Sequence, residues 1–153
     1  MSTVQDRLEQ ASIILPKAPT PAANYLPYLL EGNMLYISGQ IPRAGDQLLT
    51  GKIGVDATID DGIKAARLCA INIIAQANTA LDGKLERIKQ CIKLGGFVNA
   101  TDDFSAHPQV INGASDLMVE IFGDEGRHTR FAIGAGSLPL NVTVEIDAVF
   151  AIK

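Results

Sequence analysis

An arginine and a glutamate near the end of the chain are the side chains whose types and spacing point to chemistry. In the stretch RHTRFAIGAGSLPLNVTVEIDAVFAIK, residues 127–153, Arg130 stands at the start of one strand-like run. Glu145 lies inside the next run, which is otherwise apolar. Arginine is a residue type that binds anions, and glutamate is one that moves protons. The pattern alone favours two solvated surface charges, so the elements that carry the pair have to be identified.

The cysteines and histidines predict no metal site. The chain has two of each, with no CxxC, HxH or HExxH spacing, which is too few soft ligands for a transition metal. Cys69 and Cys91 lie in apolar or alternating segments, so we expect buried free thiols rather than a disulfide. The net charge of −4 and the scattered lysines and arginines argue against nucleic-acid binding driven by phosphate neutralisation.

Length and composition predict a single domain. The 153 residues are 47% hydrophobic and 20% charged and contain no linker-like tract or internal repeat. We therefore expect one domain over residues 1–153. There is no run of about eighteen apolar residues, and the N-terminus is polar. These features indicate neither a membrane span nor a secretory signal, and we expect a cytoplasmic protein.

The first half of the chain predicts a helix, a hairpin and a second helix. Ser2 and Gln5 at capping-box spacing predict a short helix within an N-terminal helical extension over residues 1–20. The run YLLEGNMLYISGQI predicts a β-hairpin that turns around Gly32, and LLTGKIG predicts another short strand. Apolar residues at helical spacing predict a long helix over residues 58–81.

The second half predicts three strands and another long helix. ERIKQCIKLGGFVNA predicts a strand, with a bulge or a close backbone approach at Gly95–Gly96. The residues expected on one face of it are Ile88, Gln90, Ile92 and Leu94. The segment from Pro108 to Gly123 predicts the helix, and RFAIGAG and VTVEIDAVFAI predict the last two strands.

The last strand decides where Glu145 points. Its alternate residues from Val142 to Ile152 are apolar and would pack under the helices, whereas Glu145 and Asp147 would point away. The element order favours an α+β sandwich in which both long helices cover one face of the sheet. The other face, which is mixed polar and apolar, would meet solvent or a partner subunit, and we favour a subunit.

Four segments occur in the order seen in the RidA/YjgF family: GNMLYISGQIPR, LGGFVNATDDF, INGASDLM and HTRFAIGAGSLPLNVTVEIDAVF. The likeness runs from about Tyr25 to the C-terminus. The SGQ element, the arginine, the LP turn and the VEIDA strand are specific in combination. The chain therefore resembles a member of this family, parts of which also carry the labels endoribonuclease and translation inhibitor.

The resemblance implies a chorismate-mutase-like α+β fold. It has a six-stranded mixed sheet backed by two long helices and forms a homotrimer with active sites between subunits. The resemblance also implies hydrolysis of 2-imino acids, tautomers of the enamines that PLP-dependent dehydratases release, to 2-keto acids and ammonia. No cofactor is implied, because an iminium carbon is already electrophilic and needs only positioning, a water molecule and proton transfer.

Matching positions supply the candidate site residues. Arg130 matches the family's substrate-binding arginine, and Glu145 matches the strand glutamate that would position the attacking water and shuttle its proton. Tyr25 matches the substrate-contacting tyrosine without a gap, whereas Tyr28 matches it if three residues are deleted. The other matched binding positions are Ser38, Gly39, Gly95, Asn112 and Ala132.

Departures from the family pattern leave the substrate and the activity open. Many members have a cysteine where this chain has Ala132, and Gly134 and Gly136 follow in place of larger side chains, which leaves room for a larger imine. His128 is either a further ionisable group beside the cleft or a surface loop histidine. One alternative is a non-catalytic trimer that binds small carboxylates such as 2-keto acids. The other is an endoribonuclease or translation inhibitor, which the acidic composition supports poorly.

Overall fold

The chain folds as an α+β arrangement of α-helices and a mixed sheet. A computed structural model describes residues 1–21 and 23–153. In chain order the elements are α1 (Val4–Gln10), β1 (Tyr28–Glu31), β2 (Met34–Gln40), β3 (Arg43–Ala44), β4 (Gln47–Leu48), α2 (Ile59–Ala80), β5 (Ile88–Asn99), α3 (His107–Phe122), β6 (Thr129–Ala135) and β7 (Val144–Ile152). Short 3₁₀ turns follow α2, α3 and β6.

Among the described residues, the main sheet has five strands in the order β1-β2-β7-β5-β6. All neighbours are antiparallel except β5 and β6, which are parallel. The expected sixth strand is therefore wrong for this sheet, because β3 and β4 form a separate two-stranded ribbon. LLTGKIG is not a strand either, since after β4 its backbone makes only isolated bridges, such as Thr50 with Val142.

Both predicted long helices are present and begin or end close to the expected residues. The Thr58 hydroxyl and the Asp61 carboxylate form a capping box that starts α2. The capping box of α1 uses Thr3 and Asp6 rather than Ser2 and Gln5, because Thr3 is the residue with extended backbone that precedes the helix. In the described residues, 1–21 and 23–153, no helix is both long and apolar enough to cross a bilayer.

The core lies between the two long helices and one face of the sheet. The apolar positions of β7, from Val144 to Ile152, are buried there as predicted, while Asp147 is exposed on the opposite face. Cys69 and Cys91 are buried free thiols, also as predicted. Burial raises the pKa of Cys91 to about 12 and the pKa of Cys69 well above its ordinary range, so neither forms a thiolate at neutral pH.

The predicted alternation along β5 is wrong at its start. Ile88, Cys91 and Leu94 are the buried residues there, spaced three apart instead of two. The pairing with β7 shifts between Ile88 and Gln90 and again between Cys91 and Lys93. Each bulge adds a residue and reverses the faces that follow. The bulges thus precede the Gly95–Gly96 doublet, where the pairing with both neighbouring strands is regular.

The two long helices approach each other closely at Gly113. A Cβ atom at this position of α3 would collide with the backbone carbonyl oxygen of Ile63 in α2. The glycine costs some intrinsic helix stability, but the contact leaves no space for a side chain. Because α3 packs closely on α2, α3 lies at a fixed position against β5 and β6, the strands at one edge of the sheet.

Candidate functional site

A pocket with a volume of about 310 Å³ opens where β2 ends and β7 begins. Its walls come from the segment before β1, the end of β2, the side of α2 and the turn at residues 139–140. Three of the predicted site residues, Tyr25, Gly39 and Glu145, line it together. Arg43 lies in the same wall, and we call these four residues the glutamate half-site.

The Glu145 carboxyl group is half-buried in this pocket. Burial raises its pKa, and the neighbouring Asp147 carboxylate raises it further. Gly39 allows the close approach, since a Cβ atom there would lie 2.8 Å from Glu145 Oε1. The carboxyl group therefore lies close against the β2 backbone at Gly39, and it changes protonation at a higher pH than an ordinary glutamate.

The segment before β1 is held against the pocket by Ser38. The Ser38 hydroxyl donates a hydrogen bond to the Leu26 carbonyl oxygen at 2.7 Å, and its backbone N–H donates to the Pro27 carbonyl oxygen at 3.0 Å. The hydroxyl is thus used to hold the chain next to Tyr25. Tyr25 reaches the pocket, whereas Tyr28 lies in β1 and packs against the core.

Two buried amides of α2 shape the pocket and were missed in the sequence. Asn72 Nδ2 donates to the carbonyl oxygens of Ile41 at 2.9 Å and of Arg43 at 3.0 Å. Gln76 Nε2 donates to the Pro19 carbonyl oxygen at 3.0 Å. Buried polar side chains require such partners. The available signal was two amides one helical turn apart on the otherwise apolar side of α2.

Arg130 lies on β6 and points towards α3, outside the glutamate half-site. Its Nη1 donates to Ser115 Oγ at 2.9 Å, and its Nη2 donates to the Pro108 carbonyl oxygen at 3.2 Å. Asn112 is exposed on α3 between these two contacts, one helical turn from each. The guanidinium group is therefore held at the β6–α3 edge.

His128 extends this hydrogen-bond chain. His128 Nδ1 lies 2.6 Å from the Gly126 carbonyl oxygen, which can only accept, so Nδ1 carries the proton. In the neutral ring Nε2 then accepts from the Ser115 hydroxyl at 2.8 Å, and Ser115 Oγ accepts in turn from Arg130. His128 is thus more than a loop histidine. We call Ser115, His128 and Arg130 the arginine half-site.

The two remaining predicted positions lie on different faces of the sheet. Ala132 shares the helix-covered face with Arg130 and is partly buried against the core, opposite Gly96. Gly95 belongs to the open face, where an added Cβ atom would collide with Asp147 Oδ1 and crowd the Phe131 ring. Neither position lines the pocket beside Glu145.

Within one chain, the two half-sites are on opposite faces of the sheet. Glu145 pairs with Phe97, which pairs on its other side with Ile133, three residues beyond Arg130. An odd number of residues along a strand reverses the face. From the spacing of strands and residues, the backbones of Arg130 and Glu145 lie about 10 Å apart perpendicular to the strands and about 10 Å apart along them. One small ligand cannot touch both side chains of the same chain.

The open sheet face beside Glu145 is partly apolar and aromatic. The rings of Phe97 and Phe131 meet edge to face with centroids 5.3 Å apart, and the Lys93 ammonium lies 5.3 Å from the centroid of Phe131. Ile133 is 46% exposed and Tyr36 is also exposed on this face. Such a surface is typical of a face that packs against another protein surface.

The described residues contain no cluster suited to a metal ion. Across 1–21 and 23–153, no group of three or more histidine, cysteine, aspartate or glutamate side chains is close enough to hold one. Glu145 has Asp147 as its acidic neighbour on β7. The polar chemistry of the two half-sites therefore consists of carboxylate, guanidinium, hydroxyl and imidazole groups.

This chain has two long helices on one face of a mixed sheet, and polar side chains at the open face and at the edge of that sheet. This arrangement is that of the chorismate-mutase-like α+β proteins. Residues 5–151 match the family model described as "YjgF/chorismate_mutase-like, putative endoribonuclease". The match covers nearly the whole chain. This protein belongs to the YjgF family, which includes the RidA and RutC proteins, and the predicted resemblance is confirmed.

Three relatives illustrate the range of similarity. Protein TCP17 of Trypanosoma cruzi is 42% identical over 95% of this chain and 91% of its own length. The crystal structure of a protein of unknown function from Agrobacterium tumefaciens is 44% identical, with a TM-score of 0.92 over 98% of this chain and 92% of that one. The 2-iminobutanoate/2-iminopropanoate deaminase of Dermatophagoides farinae is 26% identical over 92% of this chain and 95% of its own.

Proposed function

We propose that this protein hydrolyses 2-imino acids to 2-oxo acids and ammonia, in clefts between the subunits of a homotrimer. The observation that carries the proposal is the half-buried Glu145 carboxyl group, with its raised pKa, in a pocket shared with Tyr25 and Gly39. A carboxylate whose pKa lies closer to working pH is a better general base. Family membership and the deaminase name of the Dermatophagoides farinae relative support the same chemistry.

In the proposed mechanism, Arg130 holds the substrate carboxylate through two parallel hydrogen bonds. Glu145 takes a proton from a water molecule as the water oxygen bonds to the iminium carbon. The C=N electron pair moves to nitrogen, which gives a carbinolamine. Glu145 then returns the proton to the amino nitrogen, and the C–N bond breaks with its electron pair on the departing ammonia. The hydroxyl oxygen forms the C=O bond as it gives its proton to the Glu145 carboxylate, which releases it to solvent. The products are a 2-oxo acid and ammonia.

The homotrimer is part of the proposal because one chain separates the two half-sites. Arg130 lies on the helix-covered face at the edge strand, while Glu145 lies on the open face. A neighbouring subunit that packs on the open face, around exposed Ile133, would bring its own Arg130 towards this Glu145. Burying the open face would also exclude water from the cleft, which strengthens both electrostatic contacts.

A coupled assay tests the proposed reaction. Threonine dehydratase releases the enamine in situ, and formation of 2-oxobutanoate is followed against its spontaneous rate. We expect acceleration by the wild-type protein and a loss of at least about 100-fold in Arg130→Ala and Glu145→Gln. Arg127→Ala is the matched control, since this arginine is three positions away and its side chain is 71% exposed. No acceleration by the folded wild-type protein would overturn the proposal.

A second candidate function is binding of small carboxylates without catalysis, and one residue of the chain favours it. Ala132 stands where many family members have a cysteine, and its side chain is partly buried against the core. A protein that only binds 2-oxo acids would need Arg130 but not Glu145. Binding of 2-oxobutanoate that is lost in Arg130→Ala and unchanged in Glu145→Gln, without acceleration in the coupled assay, would identify this function.

The endoribonuclease label in the family description receives little support from the charges of this chain. The net charge is −4, whereas phosphate backbones attract clusters of lysine and arginine. Incubation with labelled RNA at low and physiological salt tests the label directly, and we expect neither cleavage nor salt-dependent binding.

A further inference from the structure

Arg43 is a charged side chain of the glutamate half-site that the proposed mechanism does not use. It lies in β3, shortly after the SGQ segment, and lines the same pocket as Glu145. We propose that Arg43 binds a second carboxylate of the substrate, so that the preferred substrate is a dicarboxylic 2-imino acid. The inference rests on the proposed function and names a substrate class for it.

The Arg43 backbone is held firmly while its guanidinium group remains available. Asn72 Nδ2 donates to the Arg43 carbonyl oxygen at 3.0 Å and to the Ile41 carbonyl oxygen at 2.9 Å. Within residues 1–21 and 23–153, the salt bridges join other pairs of residues, and no hydrogen bond involves the Arg43 side chain. Arg43 is half-buried, so its charge is only partly solvated. It can therefore bind an anion without first breaking an ion pair.

The other side-chain nitrogen donors of the pocket already have partners. The side-chain amides of Gln40, Asn72 and Gln76 donate to backbone carbonyl oxygens. Much of the remaining wall is apolar, with Pro19, Pro21, Pro27, Ile41, Pro139 and Leu140. Arg43 and Glu145 are the two charged residues of the lining. A carboxylate that enters this pocket would thus find its positively charged partner in Arg43.

The charge balance of the assembled cleft favours a substrate with two carboxylates. Joining the two half-sites would place Arg43 and Arg130 around one Glu145. With a monocarboxylate on Arg130, the Arg43 guanidinium and the substrate iminium group would share the single Glu145 carboxylate, which leaves one uncompensated positive charge in a site that has lost water and is costly. A second carboxylate on the substrate removes this cost by a bidentate contact. The proline-rich wall would surround the carbon chain between the two acidic groups.

Two five-carbon product analogues test the inference without requiring catalysis. 2-Oxoglutarate and 2-oxopentanoate share a chain length and differ in the terminal carboxylate. By titration calorimetry we expect the wild-type protein to bind 2-oxoglutarate at least about tenfold more tightly. Arg43→Gln should reduce this ratio to about one by weakening 2-oxoglutarate alone, and Arg43→Lys should restore part of it. Arg87→Gln, at an exposed arginine in the 3₁₀ turn just before β5, removes the same charge elsewhere and should leave the ratio unchanged.

The corresponding imines separate failure of this inference from failure of the proposed function. L-Glutamate oxidase generates 2-iminoglutarate, and an L-amino acid oxidase generates 2-iminopentanoate from norvaline. Faster hydrolysis of 2-iminoglutarate that is lost in Arg43→Gln would support both ideas. Hydrolysis of both imines at equal efficiency, or a binding ratio unchanged in Arg43→Gln, would overturn the role of Arg43 alone. An Arg43-dependent binding ratio without hydrolysis would overturn the proposed function and keep Arg43 as a dicarboxylate-binding residue.

Discussion

Two neighbours influence the position and the pKa of the Glu145 carboxyl group, one distant in the sequence and one on the same strand. Gly39 on β2 provides the space that its carboxyl group occupies, and Asp147 two positions away adds negative charge. Burial is the larger cause of the raised pKa, and Asp147 is the second. A substitution at either neighbour should therefore change the position or the pKa of the Glu145 carboxyl group while the glutamate itself remains. Such variants test these two properties more directly than removal of Glu145 does.

Asp147→Asn should lower the pKa of Glu145. Removing a nearby negative charge favours the ionised form, so the carboxyl group loses its proton at a lower pH. We expect the wild-type midpoint above that of an ordinary glutamate, and a lower midpoint in the variant that stays above the ordinary one because burial is the larger cause. Carbon NMR titration of the glutamate side chains measures both midpoints. Asp46→Asn, in the exposed turn between β3 and β4, is the control, and an unchanged Glu145 midpoint in Asp147→Asn would contradict the prediction.

Gly39→Ala should reduce activity far more than stability. The added methyl group would lie 2.8 Å from Glu145 Oε1, at the free end of a side chain that can turn away. We expect a loss of about 1 kcal/mol or less in unfolding free energy, together with at least a tenfold loss in kcat/KM in the coupled assay. Urea unfolding and the coupled assay measure the two effects.

The matched control for Gly39→Ala is Gly136→Ala, where an added methyl group meets no atom within 4 Å. It should leave the unfolding free energy nearly unchanged, which makes it a control for the stability effect of an added methyl group. An unchanged kcat/KM in Gly39→Ala would show that the position of the Glu145 carboxyl group is not what matters.

At the scale of elements, the contact between α2 and α3 holds the arginine half-site in place. Ser115 and Pro108, the partners of Arg130, belong to α3, and α3 packs on α2 at Gly113. Closer or looser packing of the two helices would move these partners relative to β6. Gly113 is thus the position at which helix packing and the guanidinium position are linked.

Gly113→Ala should destabilise the protein strongly. The methyl group would collide with the Ile63 backbone carbonyl oxygen, which cannot rotate away as a side chain can, so the helices must separate. We expect a loss of about 2–3 kcal/mol in unfolding free energy, despite the higher helix propensity of alanine. Urea unfolding checks the value. Asp116→Ala, at an exposed position of the same helix, should change stability by less than about 0.5 kcal/mol, and a similar small change in Gly113→Ala would contradict the close packing.

At the scale of the whole molecule, the open sheet face is the expected surface between subunits. It carries the edge-to-face pair of Phe97 and Phe131 and exposed Ile133, close to Glu145 along the sheet. Ile133→Asp should convert a trimer into monomers and abolish activity, because a carboxylate buried in an apolar interface costs several kcal/mol. Sedimentation equilibrium measures the mass.

Ile14→Asp is the control for this prediction, since Ile14 is 94% exposed in the segment after α1. It should leave the oligomeric state unchanged. A wild-type protein that sediments as a monomer, or an Ile133→Asp variant that remains trimeric, would show that the open face is not the interface.

The regular elements and much of the glutamate half-site were predictable from the sequence. The apolar alternation of β7 determines which of its residues are buried, because neighbouring residues of a strand face opposite sides. Apolar spacing and capping residues located α2 and α3. The family motifs singled out Tyr25, Gly39 and Glu145, which the fold brings into one pocket. These features depend on short stretches of chain, each of which carries its own signal.

Only the tertiary structure decided which side chains meet. Asn72 reaches the Arg43 backbone across 29 positions and Arg130 reaches Ser115 across 15, and no local pattern encodes either contact. The bulges in β5 come from its pairing with β7, which a single-strand alternation cannot anticipate. Sequence periodicity determined which faces are apolar. The register of the paired strands determined that Arg130 and Glu145 lie on opposite faces, and the contact of α2 with the Arg43 backbone determined that Arg43 shares the pocket of Glu145. Both placements depend on contacts between distant segments.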